Sequence, residues 1–179
     1  MEILEKKYTF EDYLNLPEGS NYQLINGELI MAPAPEIKHQ QVSKKLVFIL
    51  YKNIEQTGKG FVFYSPIDVL IDSYNVFQPD IVVILKENEY KIKQKFIEGA
   101  PDVVIEILSP STAYYDLVEK KEIYLKARVK EYWIVDPKVK SVEILKNETT
   151  NFITLSKAVV KGEILSEIID LKFDISEIF

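Results

Sequence analysis

The alternation of apolar and polar positions divides the chain into many short strands and a few helices. Residues 9–14 read as a short helix, which Thr9 can cap, with Asp12 three residues on and Pro17 just past the end. Segments 22–25 and 28–31 flank Asn26-Gly27. An Asn-Gly pair between apolar runs supplies the two positive φ angles that a two-residue hairpin needs. Pro33 and Pro35 close that hairpin. From 36 to 57 the pattern turns helical, with Val42, Leu46, Ile49, Leu50 and Ile54 spaced for one face and Gly58 as a stop. Residues 61–64 and 67–71 read as strands. Residues 80–85 and 102–108 are apolar and β-branched almost throughout, as suits strands buried on both faces.

Ser109-Pro110-Ser111-Thr112 breaks the chain, and a helix is expected over 112–127. A strand over 131–136 ends at Asp136-Pro137, and 139–145 is expected to pair with it as a hairpin. Residues 152–156 add an outer strand, 164–169 fits strand or helix, and Ser176 is placed to cap a last turn. Strands and helices alternate, but hairpins are mixed in. The expected architecture is therefore α/β, with a mixed central β-sheet flanked by helices and an N-terminal β-hairpin. No repeat, low-complexity segment or Gly/Ser linker interrupts the chain, so residues 1–179 are expected to form a single domain.

Composition narrows the chemistry. The chain is 47% hydrophobic and 28% charged, enough to bury a core. With no cysteine there is no thiolate zinc site and no thiol nucleophile, and with one histidine there is no multi-histidine metal site. No G-x-S-x-G elbow is present, and Thr57-Gly58-Lys59-Gly60 lacks the spacing of a phosphate loop. Carboxylates and lysines remain. Residues 1–7 lack the apolar core of a signal peptide, and no apolar run approaches the length of a membrane span, so a cytoplasmic location is expected.

The acids worth weighing stand in apolar strands. One lies in Pro79-Asp80-Ile81-Val82-Val83-Ile84, the other in Val103-Val104-Ile105-Glu106-Ile107-Leu108. An ionised carboxylate in a buried strand is costly unless it is paired or holds a metal. Glu106 fits either a buried ion pair or a metal ligand. Asp80, and Asp102 likewise, could equally be a solvated residue at a strand end. On the next helix Asp116, Lys120 and Tyr124 recur every four residues and share a face. Alone, that face reads as a solvated Asp-to-Lys pair. Its closeness to Glu106 in sequence lets the lysine reach the same space as the carboxylates. Glu28 shares a face with Ile30 and is either an inward-facing acid or an exposed hairpin residue. His39 reads as a surface or capping histidine, and Trp133 as core. Lysines 86, 91, 93 and 95, and the basic run from Lys120 to Lys130, are interleaved with acids and read as solvated faces.

Several segments, in order, resemble the Uma-two family of restriction endonucleases, a branch of the PD-(D/E)-x-K nuclease superfamily. They are Ile25-Asn26-Gly27-Glu28-Leu29, then Met31-Ala32-Pro33-Ala34-Pro35 with His39, then Pro79-Asp80-Ile81-Val82-Val83. Glu106-Ile107-Leu108-Ser109-Pro110-Ser111-Thr112 follows, with Asp116, Lys120 and Tyr124 behind it, and Glu131-Tyr132-Trp133-Ile134-Val135-Asp136-Pro137 completes the set. The resemblance implies a restriction-endonuclease-like fold and a metal-dependent endonuclease that hydrolyses phosphodiester bonds, with DNA as the expected substrate. It implies Mg2+, with Mn2+ as a substitute, held by Asp80, Glu106 and the carbonyl of Ile107. Lys120 is implied as the catalytic lysine, with Glu28, His39, Asp116 and Tyr124 as accessory residues. The superfamily lysine normally stands two residues after the second acid; here that position is Leu108, and Lys120 on the following helix takes its part. Gln23 stands where relatives often show a glutamate and is read as peripheral.

The net charge of −6 is not that of a protein that coats DNA, but carboxylates offset by metal are compatible with a nuclease. A nuclease that cuts both strands commonly works as a two-fold dimer, so a homodimer is expected. Two alternatives remain open: a catalytically silent nucleic-acid-binding or regulatory module on this fold, and a protein whose acids are merely ion-paired.

Overall fold

The computed structural model describes residues 7–17, 19–110 and 113–179. The start of the 112–127 helix and the Ser111-Thr112 end of the motif lie outside the described residues. In chain order the elements are α1 (Phe10–Leu14), β1 (Tyr22–Ile25), β2 (Glu28–Met31), α2 (Ile37–Leu50), β3 (Gly60–Tyr64) and β4 (Asp68–Asp72). They continue with β5 (Asn75–Phe77), β6 (Ile81–Leu85), β7 (Phe96–Glu98), β8 (Val103–Ile107) and α3 (Lys121–Lys126). The last are β9 (Glu131–Asp136), β10 (Ser141–Asn147), β11 (Phe152–Val159), β12 (Glu163–Ser166) and β13 (Leu171–Asp174).

Local signals placed the first elements. Thr9 caps α1 and forms a reciprocal capping box with Asp12. Asn26 and Gly27 take φ of 52° and 83°, as the hairpin turn requires. The 36–57 segment is α-helical only to Leu50 and then widens into a π-helical turn over Tyr51–Glu55. A second π-helical turn, Tyr115–Lys120, precedes α3. The 164–169 segment resolves as β12 followed by a turn into β13. The last turn is capped by Asp174, whose side chain accepts from the backbone N–H of Ser176, rather than by Ser176 itself.

The strands form a six-stranded sheet, ordered β11-β10-β9-β8-β6-β3, a five-stranded sheet, ordered β2-β1-β5-β4-β7, and the β12-β13 hairpin. In the six-stranded sheet β8 and β9 run parallel, while β6 and β8 run antiparallel. A parallel pair needs a crossover, and the segment carrying the π-helical turn and α3 supplies it. Alternation along β8 sends Val103, Ile105 and Ile107 to one face, where α2 packs through Val42, Leu46 and Leu50. Val104 and Glu106 point to the other face, which the crossover helix covers with Tyr124 and the five-stranded sheet with Ile25, Val69 and Phe77.

Two buried acids are structural: Asp102, which the sequence left ambiguous, and Glu131, of which it gave no reading. Asp102 is buried, not a solvated strand end, and accepts from the Leu85 backbone N–H, Asn88 and Lys130. Glu131 is fully buried. Its Oε2 accepts from Trp133 Nε1 at 3.0 Å and from the Ser166 hydroxyl at 2.6 Å. Its Oε1 accepts from the backbone N–H groups of Glu167 and Ile168. One carboxylate thus ties the β12-β13 hairpin to the central sheet. Glu131→Ala is expected to cost about 3 kcal/mol, because it strands a buried indole N–H and two backbone donors. A denaturant midpoint equal to that of the parent protein would show that the hairpin docks without it.

Candidate active site

The pairing of β6 with β8 positions the acids. Ile81 faces Ile105 and Val82 faces Val104, so one step further along the same register sets Asp80 opposite Glu106. Val82, Ile84 and Val104 face the crossover helix, and alternation therefore turns both acids toward that helix as well. Asp80 Oδ2 accepts from the Ile107 backbone N–H at 2.7 Å and from His39 Nε2 at 3.2 Å. A carboxylate only accepts, so His39 carries its proton on Nε2. Burial alone would lower the His39 pKa, but the hydrogen bond and charge of Asp80, with the Ile107 backbone, raise it overall.

Glu106 is 2% exposed, and Lys120 and Asp116 are buried to the same degree. Lys120 Nζ lies 3.0 Å from Glu106 Oε1 and 2.9 Å from Asp116 Oδ1. Tyr124 donates to the same Glu106 oxygen at 3.0 Å. Lys120 and Asp116 both stand on the π-helical turn, a widened geometry that recurs at functional sites.

One ammonium cannot fully compensate two buried carboxylates. Burial, only partly offset by Lys120, and the nearby charges of Asp116 and Asp80 push Glu106 up to about 8. Burial would lower Lys120, but the Glu106 and Asp116 carboxylates more than offset this and hold it cationic. Near neutral pH the metal-free centre therefore keeps Lys120 charged and gives Glu106 a share of a proton.

Asp80, Glu106, Ile107, His39, Asp116 and Lys120 line one cavity of about 290 Å³, open between the Pro33–Pro35 stretch and the end of β8. Tyr124 stands behind it, touching Glu106. Of the two readings of Glu28, the exposed one holds: it starts β2 facing solvent and is not part of the lining. Gln23 is corrected in the opposite sense. It is 6% exposed, lines the cavity and accepts the Gln78 backbone N–H. His39, read from its position as a surface or capping histidine and implied as accessory by the resemblance, is buried against Asp80. Gln78 and Ser65, which the sequence did not single out, also line the cavity. Neutral polar side chains are equally usual at exposed positions, so the sequence alone does not mark these two as lining a site.

Among the described residues, no three His, Asp or Glu side chains converge to hold a metal by themselves. Asp80, Glu106 and Ile107 nevertheless line the cavity together. Among the described residues the contacts to Glu106 fall on Oε1 and those to Asp80 on Oδ2.

This fold, with paired acids and a lysine at the end of a mixed sheet, is restriction-endonuclease-like. A solved structure, titled a putative nuclease belonging to DUF820 from Anabaena variabilis, shares it. The TM-score is 0.78 at 21% identity, covering 96% of this chain and 97% of that one. Residues 10–174 match the Uma2 family, described as "Putative restriction endonuclease", and the chain belongs to that family. An uncharacterized protein of Synechocystis sp., sll1609, is 26% identical over 135 residues, spanning 73% of this chain and 76% of that protein. Family membership supports nuclease activity in general. Among the described residues no helix is long and apolar enough to cross a membrane.

Proposed function

We propose that the protein is a metal-dependent endonuclease that hydrolyses phosphodiester bonds of DNA. The observation that carries this reading is the Asp80–Glu106 pair, set opposite each other at one end of β6 and β8 with Lys120 against Glu106. Asp80 Oδ1, Glu106 Oε2 and the Ile107 carbonyl are oxygen donors of the kind Mg2+ takes, with water and a phosphate completing its shell and Mn2+ able to substitute. Such an ion, when bound, acidifies a water and offsets charge on the phosphate.

The chain's own residues do the rest. His39 and the Ile107 N–H fix the rotamer of Asp80, and Tyr124 fixes that of Glu106. Asp116 holds the Lys120 ammonium at the cavity wall, where its charge meets negative charge developing on the phosphate. A homodimer, with two such sites related by a two-fold axis, would cut both strands of a duplex.

Metal binding is tested apart from catalysis by thermal unfolding. Saturating Mn2+ is expected to raise the midpoint by roughly 5 °C or more over EDTA. Asp80→Asn should lose that rise. An equal rise in the variant, or none in the parent protein, would remove Asp80 and Glu106 as the metal site.

A further inference from the structure

The outer face of α2 carries a charge pattern unlike the rest of the molecule. Residues 37–52 contain four lysines and no acid, in a chain of net charge −6. Lys38, Lys45 and Lys52 are seven residues apart, so they line one side of the helix at steps of about 10 Å. Lys44 stands beside them on the exposed face. All four are exposed, and among the described residues none forms an ion pair. Several lysines elsewhere are paired: Lys86 with Glu89, Lys93 with Glu98 and Lys126 with Glu122.

Lys44 joins this face to a cleft that borders the carboxylate cavity. Pro35 and Gln40 line both that cavity and a neighbouring cleft of about 540 Å³ between α2 and the end of β3. Lys44 and Tyr64 line the second cleft, and no acid does. Tyr64 is 60% exposed there. We infer that this cleft carries the nucleic-acid strand that leads into the site. Lys44 contacts its phosphates within the cleft, Lys38 and Lys45 take up the flanking phosphates where the strand passes over the neighbouring side of α2, and Tyr64 stacks on a base. The inference rests on the nuclease reading and adds where the substrate runs. Charge complementarity selects the occupant. A second copy docked here would set Lys44, Lys45, Lys52 and Lys172 against their own counterparts with Glu177 as the one acid lining their groove, whereas a polyanion gains at every lysine. An exposed ring beside a cationic track is the combination that binds unpaired strands.

The test is binding of a labelled single-stranded oligonucleotide, followed by fluorescence anisotropy in EDTA so that no cleavage intervenes. Between about 50 and 200 mM salt, log K falls linearly with log salt, with a slope set by the number of phosphate contacts. The triple variant Lys38→Gln/Lys44→Gln/Lys45→Gln is expected to bind about tenfold or more weakly, with a slope shallower by about 2. Tyr64→Ala should weaken binding about fivefold or more and leave the slope unchanged. A triple variant at Lys86, Lys126 and Lys161 should bind like the parent protein.

An unchanged slope in the α2 variant, or an equal loss in the control, would overturn the proposal. So would an α2 variant that loses self-association in sedimentation while keeping its affinity for the oligonucleotide. Binding is read without metal, so the two readings fail separately. A protein that cuts DNA but whose α2 variant binds normally loses only the cleft. One that binds as expected but never cuts loses only the catalytic assignment.

Discussion

In EDTA at about pH 8, Glu106→Gln protein is expected to be more stable than its parent, while having lost metal-dependent cleavage by about 10²-fold or more. The glutamine keeps an oxygen for Lys120 and Tyr124 and removes a buried ionisable group. The sign follows from linkage. The folded-state pKa of Glu106, about 8, lies above its ordinary value of 4.5. Between those values the folded chain holds a proton that the unfolded chain has released, so parental stability falls as pH rises across this window. Below it the two proteins should differ little. Above it the gap levels off at a size on the order of a few kcal/mol. Saturating Mg2+ should narrow the gap, because it stabilises the ionised carboxylate that the variant lacks. Urea melts of both proteins at several pH values, with and without Mg2+, measure this directly. A gap that shrinks with rising pH would mean that Glu106 is ionised in the metal-free fold.

Lys120→Met is expected to act oppositely on stability, lowering it on the order of 3 kcal/mol. The side chain is 2% exposed and is the cation within 3.0 Å of both Asp116 and Glu106. Removing it leaves two buried carboxyls that must either stay uncompensated or take up protons, so the loss should deepen as pH rises. Adding Glu106→Gln to Lys120→Met should recover part of it, since one of the stranded charges is then gone. If Lys120→Met left the urea midpoint unchanged, the ammonium would not be the internal counter-charge.

Much of this centre is legible in the sequence, for physical reasons. An acid inside an apolar strand has few permissible explanations, and Glu106 has the buried partners that such a position demands. The four-residue spacing of Asp116, Lys120 and Tyr124 brought those three to one wall, although a π-helical turn rather than an α-helix carries the first two. The Asn26-Gly27 hairpin appeared residue for residue because its signal is local.

What depends on distant partners was not legible. β5 and β7 are three residues each, too short for a periodic pattern, and they are held by pairing with β4, β5 with β1 as well. The division into two larger sheets is likewise a matter of long-range pairing. The burial of Asp102 and Glu131 depends on donors from other segments. The burial of His39, which the resemblance implied as accessory but the residues alone placed at the surface or a cap, follows from its contact with Asp80, 41 residues away. Gln23 reads as peripheral because the partner that makes its burial tolerable, the Gln78 backbone N–H, lies 55 residues away. The α2 lysines are separated by apolar residues, and only the helix gathers them on one side.

The most direct test of the central claim is plasmid cleavage by the parent protein and by Glu106→Gln, each in Mg2+, Mn2+ and EDTA. Nicking or linearisation by the parent in metal, absent in EDTA and absent in the variant, is the expected result. Cleavage that persists in EDTA, or in Glu106→Gln at the parental rate, would contradict a metal site built on Asp80 and Glu106.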